Sequence, residues 1–547
     1  MKKYLNNNSG MAALIALIMV GMLTLIGIAA MSTSDDEVSI TSNQLQETKA
    51  FYAAEAGLER AAAMLHHLSD SLGSSPSYMP SGTDVVNNCT YKYETVDLGP
   101  AEQRVLSNGT LAGLRALVKS YAMESTGYSK VDNSKVVIEQ TFERALVPIF
   151  QFAVFYNNDL EIAPGADMGI IGRVHTNGNL YLQAASALKM DSYVTAAGNV
   201  YHGRKGPGST DNGDILIKDG TGTYVNMKEG SDWLESTDSH WYDSSVARWN
   251  GRVQDSTHGQ TSLNMPLNNA SDPHAIIERS DGGANPDSYE EEAQLKFIDG
   301  QAYQLVGSVW NNVTADMVSL GIISSVNDKF YDQRESEWVD VTELDMQKLY
   351  DEGYAPEDGI VYFSDNTSDY PALRINNGSE IDTSISIVSE NPVYVKGDFN
   401  SVNKQPAAIM ADAVTFLSGA FDDALSTGSK YSRVAANTTV NASIMTGNVE
   451  TTSSNYNGGL ENLPRFLEDW SGRTFTWKGS MVNMWNSVQA NSSWNGSYYS
   501  PPNRDWAYDT DLDNPDMLPP GTPMFRVFQR TGWNEEHIGL YTVQYDH

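Results

Sequence analysis

An apolar run at residues 11–31, interrupted only by Thr24, limits what this chain can fold into more than any other feature. About 20 residues of helix span a bilayer core of roughly 30 Å, so the run is long enough to cross a membrane once. Lys2 and Lys3 precede it and acidic residues 35–37 follow it, which predicts a single span with its N-terminus inside. The small residue Gly10 precedes the run, whereas a secretory signal is cleaved after a shorter run. An ordinary uncleaved signal anchor is the alternative interpretation.

The helical pattern continues beyond the apolar run. Residues 50–64 are mostly strong helix formers. We therefore predict one helix over residues 11–68, about 87 Å long at 1.5 Å per residue. It should end in the cluster of serine, glycine and proline at residues 69–76. The sparse apolar stripe of its second half consists of Val38, Leu45, Ala53, Ala56, Leu58, Ala62 and Leu65.

Two segments of this helix resemble a known family. Residues 10–19 read GMAALIALIM and residues 51–58 read FYAAEAGL, and together they resemble the N-terminal domain of PilX-type minor pilins of type IV pili. They are also similar to the K-type minor pseudopilin of type II secretion. The resemblance implies a class III leader at residues 1–10, cleaved by prepilin peptidase between Gly10 and Met11. It also implies other pilin subunits and the inner-membrane assembly platform as partners.

The fifth residue after the implied cleavage site differs from the major-pilin pattern. Major pilins have a glutamate there, which the family is thought to pair with the N-terminal amine of the neighbouring subunit, and this chain has Ile15. A charge pair in lipid compensates two groups that are costly alone. A subunit without the carboxylate cannot neutralise a predecessor's amine, and the first subunit has no predecessor. Ile15 therefore favours a filament tip, the alternative being that PilX-like sequences tolerate an apolar residue here.

Chain length, net charge and cysteine count further limit the possible domain organisation and binding partners. A chain of 547 residues is too long for one core and predicts two or more domains. The net charge of −34 argues against nucleic-acid binding, which needs a cationic surface. It suits an exposed protein or one that holds divalent cations. The single cysteine, Cys89, cannot form an internal disulfide, so folding must depend on packing.

We predict an α+β, mostly β fold with a small antiparallel sheet at residues 69–147. Its candidate strands are residues 91–96, 104–106, 115–123 and 135–144, separated by turn residues. A large β-rich domain at residues 148–547 should follow, with an insertion at about residues 226–380. Short strands between Asn, Gly and Asp turns favour a solenoid of the β-helix kind, and a sandwich is the alternative. No rigid repeat length is visible in the sequence.

Two groups of residues are candidate binding sites in the distal domain. Trp477, Trp485, Trp494 and Trp506 lie in a stretch rich in Asn, Ser and Gly, and could bind a surface glycan or protein. The alternative is that these rings fill the core under long loops. Asp509, Asp511 and Asp513 alternate as Ca²⁺ ligands can, although the string fails as an EF-hand and an acidic turn is the alternative. No other cofactor is expected.

The sequence contains no Gly-x-Ser-x-Gly elbow, Walker-type loop or HExxH motif, so we expect no enzymatic activity. The resulting hypothesis is a minor pilin, held in the inner membrane before assembly and then located in the extracellular pilus, at its tip. It would prime assembly and present the β domain for adhesion. The alternatives are a polysaccharide-active enzyme on a pilin anchor and the tip pseudopilin of a type II secretion system. A pair of converging carboxylates flanked by aromatic rings in a cleft would favour the enzyme.

Overall fold

A computed structural model describes residues 8–68, 78–107, 109–132, 134–206, 208, 210–268 and 272–538. The leader residues 1–7 and the predicted helix breakers at 69–76 lie outside the described residues. The chain forms two compact units. The first comprises residues 1–102, 118–144 and 528–547, and the second comprises residues 103–117 and 145–527.

The first unit begins with one continuous helix, as predicted. Helix α1 (Asn8–Leu68) is 61 residues long and is called the stem below. Its second half packs against a small sheet, and the shared core contains Leu58, Tyr91, Met123 and Ile138. The helix therefore has two halves with different surroundings, and only the second half is buried by the protein itself.

The small sheet contains the four strands predicted for it and two that were not, namely its first strand and the C-terminal strand. Strand β1 (Ser81–Val86) pairs antiparallel with β2 (Cys89–Asp97), and β2 pairs antiparallel with β4 (Arg115–Ser129). The sheet continues from β4 to β5 (Lys135–Pro148) and then to the C-terminal strand, and β3 (Glu102–Val105) also pairs with β4. The C-terminal strand (Met524–Ile538) joins this sheet, although the sequence assigned it to the distal domain.

The second unit is a parallel β-helix, the solenoid that the sequence favoured, and not the alternative sandwich. Its first coil has three strands per turn and a turn length of 20 residues, because Leu160 pairs with Leu180 and Leu180 with Val200. The strands of this first coil are β6 (Phe152–Tyr156), β7 (Leu160–Ile162), β8 (Met168–Ile170), β9 (Arg173–Thr176), β10 (Leu180–Leu182), β11 (Ala187–Met190), β12 (Val194–Ala196), β13 (Val200–His202) and β14 (Asp214–Lys218).

Polar side chains connect successive turns of the first coil at one corner. Asp159 Oδ1 accepts the backbone N–H of Asn179 at 2.7 Å, and Asn179 Oδ1 accepts the N–H of Asn199 at 2.9 Å. A Cβ on Gly198 would lie 2.5 Å from Asn179 Oδ1, so a residue without a side chain is needed beside the ladder. Asn and Gly therefore form the corners, as the sequence predicted.

The segment between the coils contains short strands and helices. Strand β18 (Val253–Gln254) continues the sheet next to β12. Near the other end of the same sheet, β19 (Leu295–Ile298) pairs in parallel with β24 (Ile360–Ser364). Helix α5 (Met346–Asp351) in this segment is capped by the Asp345 side chain. The other bounds are β15 (Tyr224–Asn226), β16 (Lys228–Glu229), β17 (Asp232–Trp233), α2 (Trp241–Trp249), α3 (Tyr289–Glu292), β20 (Gln301–Val306), β21 (Val309–Asn312), α4 (Thr314–Leu320), β22 (Ile323–Asp332) and β23 (Glu337–Asp345).

A second coil starts at Ile360, inside the range predicted for the insertion. Its turn length varies, because loops of different length separate its strands. The strands of this second coil are β24 (Ile360–Ser364), β25 (Pro371–Asn376), β26 (Gly378–Glu380), β27 (Ile385–Ser389), β28 (Val393–Lys396), β29 (Phe399–Val402), β30 (Ala407–Ala411), β31 (Val414–Leu417), β32 (Thr438–Asn441), β33 (Ser443–Asn448), β34 (Arg465–Phe466), β35 (Thr474–Gly479), β36 (Met481–Asn486) and β37 (Asn503–Tyr508). The C-terminal strand of the small sheet is β38.

The two coils join end to end although they are far apart in sequence. Strand β36 of the second coil pairs in parallel with β6 of the first, through Met481 and Val154. One column of buried aliphatic side chains therefore runs through both coils, which covers the end that each coil would otherwise expose. Its members, in spatial order, are Leu295, Val361, Ile387, Ile409, Ile444, Met481, Val154, Val174, Val194 and Val253.

Candidate functional site: the N-terminal stem

The first half of the stem is an exposed apolar surface. Residues 10–42 are all exposed, and Met11 and Ile15 retain 64% and 53% of their accessible surface. By length and composition this part of α1 could cross a membrane once. An apolar surface of this size is not stable in water, so it requires a bilayer or other protein chains around it.

The polar groups within the apolar half are satisfied locally. Thr24, which interrupts the apolar run, donates its hydroxyl to the carbonyl of Val20 at 2.7 Å. Thr33 makes the same bond to Ala29 at 2.9 Å. Such bonds four residues back remove the cost of a bare hydroxyl in an apolar environment. The sequence of this half is therefore compatible with lipid along its whole length.

The predicted cleavage residues lie at the start of the stem and have no packing role. Gly10 is inside α1, and a Cβ on it would meet nothing within 4 Å. Glycine inside a helix costs about 1 kcal/mol relative to alanine. Because nothing packs against Gly10, packing in the described fold does not explain why this position is glycine. Ile15 is exposed and lies one helical turn after Met11, on a surface that the described residues leave open. These positions remain predictions for cleavage and assembly.

The second half of the stem owes its close packing to the AAEAGL segment. Ala50, Ala53, Ala54 and Ala61 are completely buried against the sheet. A Cβ on Gly57 would lie 2.2 Å from Ser125 Oγ, and a Cβ on Gly127 of β4 would lie 1.9 Å from the carbonyl oxygen of Ala50. Small residues on both elements thus bring helix and strand into near backbone contact. The motif that carries the family resemblance is the docking surface of the stem.

Ion pairs connect the C-terminal strand, β38, to the stem. Arg530 donates two hydrogen bonds to Glu59, at 2.5 and 2.7 Å. These bonds hold the pKa of Glu59 below its usual value. Further along β38, His537 Nδ1 lies 2.6 Å from Glu47 Oε1. These contacts have no local sequence signal, because the paired residues are separated by almost the whole chain.

The structure does not bring the four candidate tryptophans together on one exposed surface. Trp477 and Trp506 are paired across β35 and β37, with ring centroids 6.5 Å apart. Trp485 is buried on β36 against His274, and Trp494 packs on Tyr456. Trp477 and Trp485 keep only 3% and 2% of their surface. These two rings fill the interior, which was the alternative considered from the sequence.

Lysines pair with two of the three aspartates that the sequence suggested as Ca²⁺ ligands. Lys404 Nζ lies 2.5 Å from Asp509 and 2.6 Å from Asp511, and Lys478 lies 3.2 Å from Asp509. Asp513 accepts a hydrogen bond from the Tyr508 hydroxyl at 2.9 Å. Within the described residues no group of three or more His, Cys, Asp or Glu is placed to hold a metal ion. The arrangement is that of an acidic turn paired with lysines, and Ca²⁺ binding there stays a prediction.

Two buried carboxylates were missed by sequence reasoning. Burial raises the pKa of Glu461 to about 7, and its neighbour Glu161 adds to this shift. Burial likewise raises the pKa of Glu468 to about 7. Glu461 accepts the N–H of Ala163 at 2.9 Å, and Glu468 accepts the hydroxyl and N–H of Ser418. Both acids are engaged in structural contacts, and in so acidic a chain no sequence pattern distinguishes them.

Comparison with known proteins agrees with the geometry of the stem. Residues 9–59 match the family model described as PilX N-terminal. The stem is therefore similar to the N-terminal domain of PilX-type minor pilins. The resemblance inferred from residues 10–19 and 51–58 is thereby confirmed, and the match ends within the part of the PilX-type stem that packs on the sheet. No curated protein matches the sequence.

One similar solved structure extends beyond the PilX-type stem. The competence-associated pilin ComZ from Thermus thermophilus is similar over 90% of this chain and 98% of its own chain, at 12% identity. The TM-score is 0.28, and at that level the similarity carries no argument about fold or function.

Proposed function

We propose that this protein is a minor pilin located at the tip of a type IV pilus, where it primes assembly and presents its β-helix for adhesion. The observation that carries the proposal is the PilX-type stem, with a fully exposed apolar half and a half packed tightly on a small sheet. Before assembly the apolar half would lie in the inner membrane, and afterwards among other pilin subunits. We propose no enzymatic role.

Two features support a tip position over a repeating one. Ile15 provides no carboxylate for the amine of a preceding subunit, and the first subunit of a filament needs none. In addition, the β-helix formed by residues 145–527 contains many more residues than the stem and the small sheet together. Subunits packed closely along a shaft would each need room for this domain, whereas a single subunit at the end does not.

The first experiment is mass spectrometry of the N-terminus in cells with and without the prepilin peptidase. The proposal predicts a chain that begins at Met11 only when the peptidase is present. A Gly10→Val variant should retain residues 1–10 in both strains, while Ala12→Val, a matched change beside the junction, should still be cleaved. Retention of residues 1–10 in every strain would contradict the proposal and favour a membrane-anchored β protein.

Immunogold labelling of purified filaments tests the position. We expect label at filament ends only, and regular label along the shaft would contradict the tip assignment. Loss of surface or cell attachment on deletion of residues 145–527, with filaments retained, would support adhesion. Loss of a secreted protein without loss of filaments would instead favour the secretion pseudopilus.

A further inference from the structure

The small sheet has a groove on the face opposite the stem. We call it the outer-face groove, and it has a volume of about 580 Å³. Four strands of the first unit line it: β2, β4, β5 and β38. Its lining residues are Glu94, Val96, Ala122, Met123, Glu124, Glu139, Gln140, Thr141, Gly532, Trp533 and Asn534.

Strand alternation explains why this face is acidic. Tyr93, Met123 and Ile138 point to the stem and belong to its buried core. The residues next to them in sequence, Glu94, Glu124 and Glu139, therefore point to the other face, where all three are exposed. Burying one face of the sheet under the stem leaves three carboxylates on the opposite face of adjacent strands.

Two of these carboxylates are in an unfavourable position within the isolated protein. Glu94 and Glu124 are directly paired in the register of β2 and β4. Like charges that lie opposite each other on antiparallel strands destabilise the sheet. Glu139 on the neighbouring strand adds a third negative charge, and no lysine or arginine is among the described residues that line the groove. A bound cation would relieve this repulsion.

An exposed aromatic ring completes the groove. Trp533 retains 49% of its surface, and it follows Gly532, whose φ of +54° lies in the left-handed region. Asn534, the next residue, donates to Glu139 at 3.2 Å, which ties this part of β38 to the acidic strands. An indole ring attracts ammonium and guanidinium groups over its face. Carboxylates and a half-exposed tryptophan together suit a cationic side chain.

We propose that the outer-face groove binds a lysine- or arginine-bearing segment of a partner protein. Charge complementarity carries this choice, because an anionic partner such as nucleic acid would be repelled and a purely apolar one would leave the carboxylates desolvated. The inference goes beyond the function proposed above and does not depend on it. It concerns a surface of the small sheet, away from the apolar half of the stem.

A peptide titration of the full chain in detergent micelles tests this proposal. The probe is a fluorescein-labelled peptide of alternating glycine and lysine, followed by fluorescence anisotropy at low salt, and its comparison is the same peptide with acetylated lysines. We expect the lysine peptide to bind about tenfold more tightly than the acetylated one. Glu94→Gln combined with Glu124→Gln should weaken binding about tenfold, and Trp533→Leu about threefold.

A charge-matched control separates the groove from the general acidity of the chain. Glu337→Gln combined with Glu352→Gln removes the same charge at exposed positions of the second unit, and it should change binding by less than about twofold. Equal loss in both double variants, equal binding of the two peptides, or no binding would overturn the proposal. Thermal unfolding checks folding, since removal of the Glu94–Glu124 repulsion should not lower the melting temperature.

Discussion

The hydroxyl of Tyr456 donates a 2.7 Å hydrogen bond to Oε1 of Glu161. Glu161 belongs to β7 of the first coil, and Tyr456 belongs to a loop of the second coil. Because Glu161 is 4% exposed, its carboxylate relies on protein groups, and among the described residues these are this hydroxyl, the N–H of Lys205 and the guanidinium of Arg204, whose Nε lies 3.9 Å away. Glu161 lines the same small cavity as Asn483, which pairs with β6 at the β36–β6 joint, so the bond reinforces the joint between the coils.

Tyr456→Phe should loosen this joint. Removing one donor from a buried carboxylate costs about 1–3 kcal/mol, and the cost should fall on the segment around β7. Hydrogen exchange monitored by mass spectrometry should show faster exchange at Leu160–Ile162 and little change in the small sheet. Tyr431→Phe is the matched control, because Tyr431 is 69% exposed. Unchanged protection of β7 in Tyr456→Phe would contradict a role for the bond at the joint.

The buried carboxyl of Glu461 should make stability depend on pH. Its pKa of about 7 in the folded chain lies above the ordinary 4.5, so the folded state holds the proton more tightly than the unfolded state. The contribution is favourable below pH 4.5 and is lost as the pH rises through 7. Glu461→Gln should therefore raise stability at pH 8 by up to about 3 kcal/mol.

The measurement for Glu461 is the melting temperature of wild type and variant between pH 4 and 8. The difference between them should widen as pH rises, since only the wild type must bury a charge. Glu337→Gln, at an exposed position, is the matched control for the loss of one carboxylate. A constant offset for Glu461→Gln would mean that this carboxyl does not titrate in this range.

The long helix, the small sheet and the β-helix could be predicted because each has a local signal. The apolar run, the AAEAGL segment and the Asn-Gly corners are all short, and their physical roles follow from residue type. Even the 20-residue turn is present in the sequence, where an Asn or Ala at 157, 177 and 197 precedes an apolar residue at 160, 180 and 200. It was missed because only three turns share it and the second coil breaks it.

The remaining features depend on contacts between distant residues. Nothing near Val154 indicates that its neighbour in the aliphatic column is Met481, and nothing near Glu59 indicates Arg530. The pairing of β38 with β5 in the small sheet is also a contact between residues far apart in the sequence. The exposure of a tryptophan is hard to predict for another reason, because a stretch rich in polar residues can still bury a ring such as Trp485.

The corner ladder should be essential to the first coil. Asn179→Ala leaves the N–H of Asn199 without its acceptor, at a cost of about 1–2 kcal/mol. Gly198→Ala should cost more, since its Cβ would lie 2.8 Å from the backbone oxygen of Gly178 and the chain must move. Thermal unfolding measures both. Gly165→Ala is the control, with nothing within 4 Å of its Cβ, and a similar loss there would contradict a role specific to the ladder.

The docking of the stem should be more sensitive to Gly127 than to Gly57. A Cβ on Gly127 would lie 1.9 Å from the backbone oxygen of Ala50, so helix and strand must separate. A Cβ on Gly57 would meet the Ser125 hydroxyl at 2.2 Å, and that side chain can rotate or be removed. We therefore expect Gly127→Ala to cost about 3 kcal/mol or more and Gly57→Ala about 1 kcal/mol. Ser125→Ala should partly rescue Gly57→Ala.

Cys89 provides the readout for this prediction. It is the single cysteine of the chain, it is 2% exposed, and it belongs to the core shared by stem and sheet. Burial also raises the pKa of its thiol, so its reaction with a maleimide should be slow while the stem is docked. Labelling should accelerate strongly in Gly127→Ala and slightly in Gly57→Ala. Gly27→Ala, at a position with nothing within 4 Å, should label like the wild type, and equal rates in all variants would show that these glycines do not control docking.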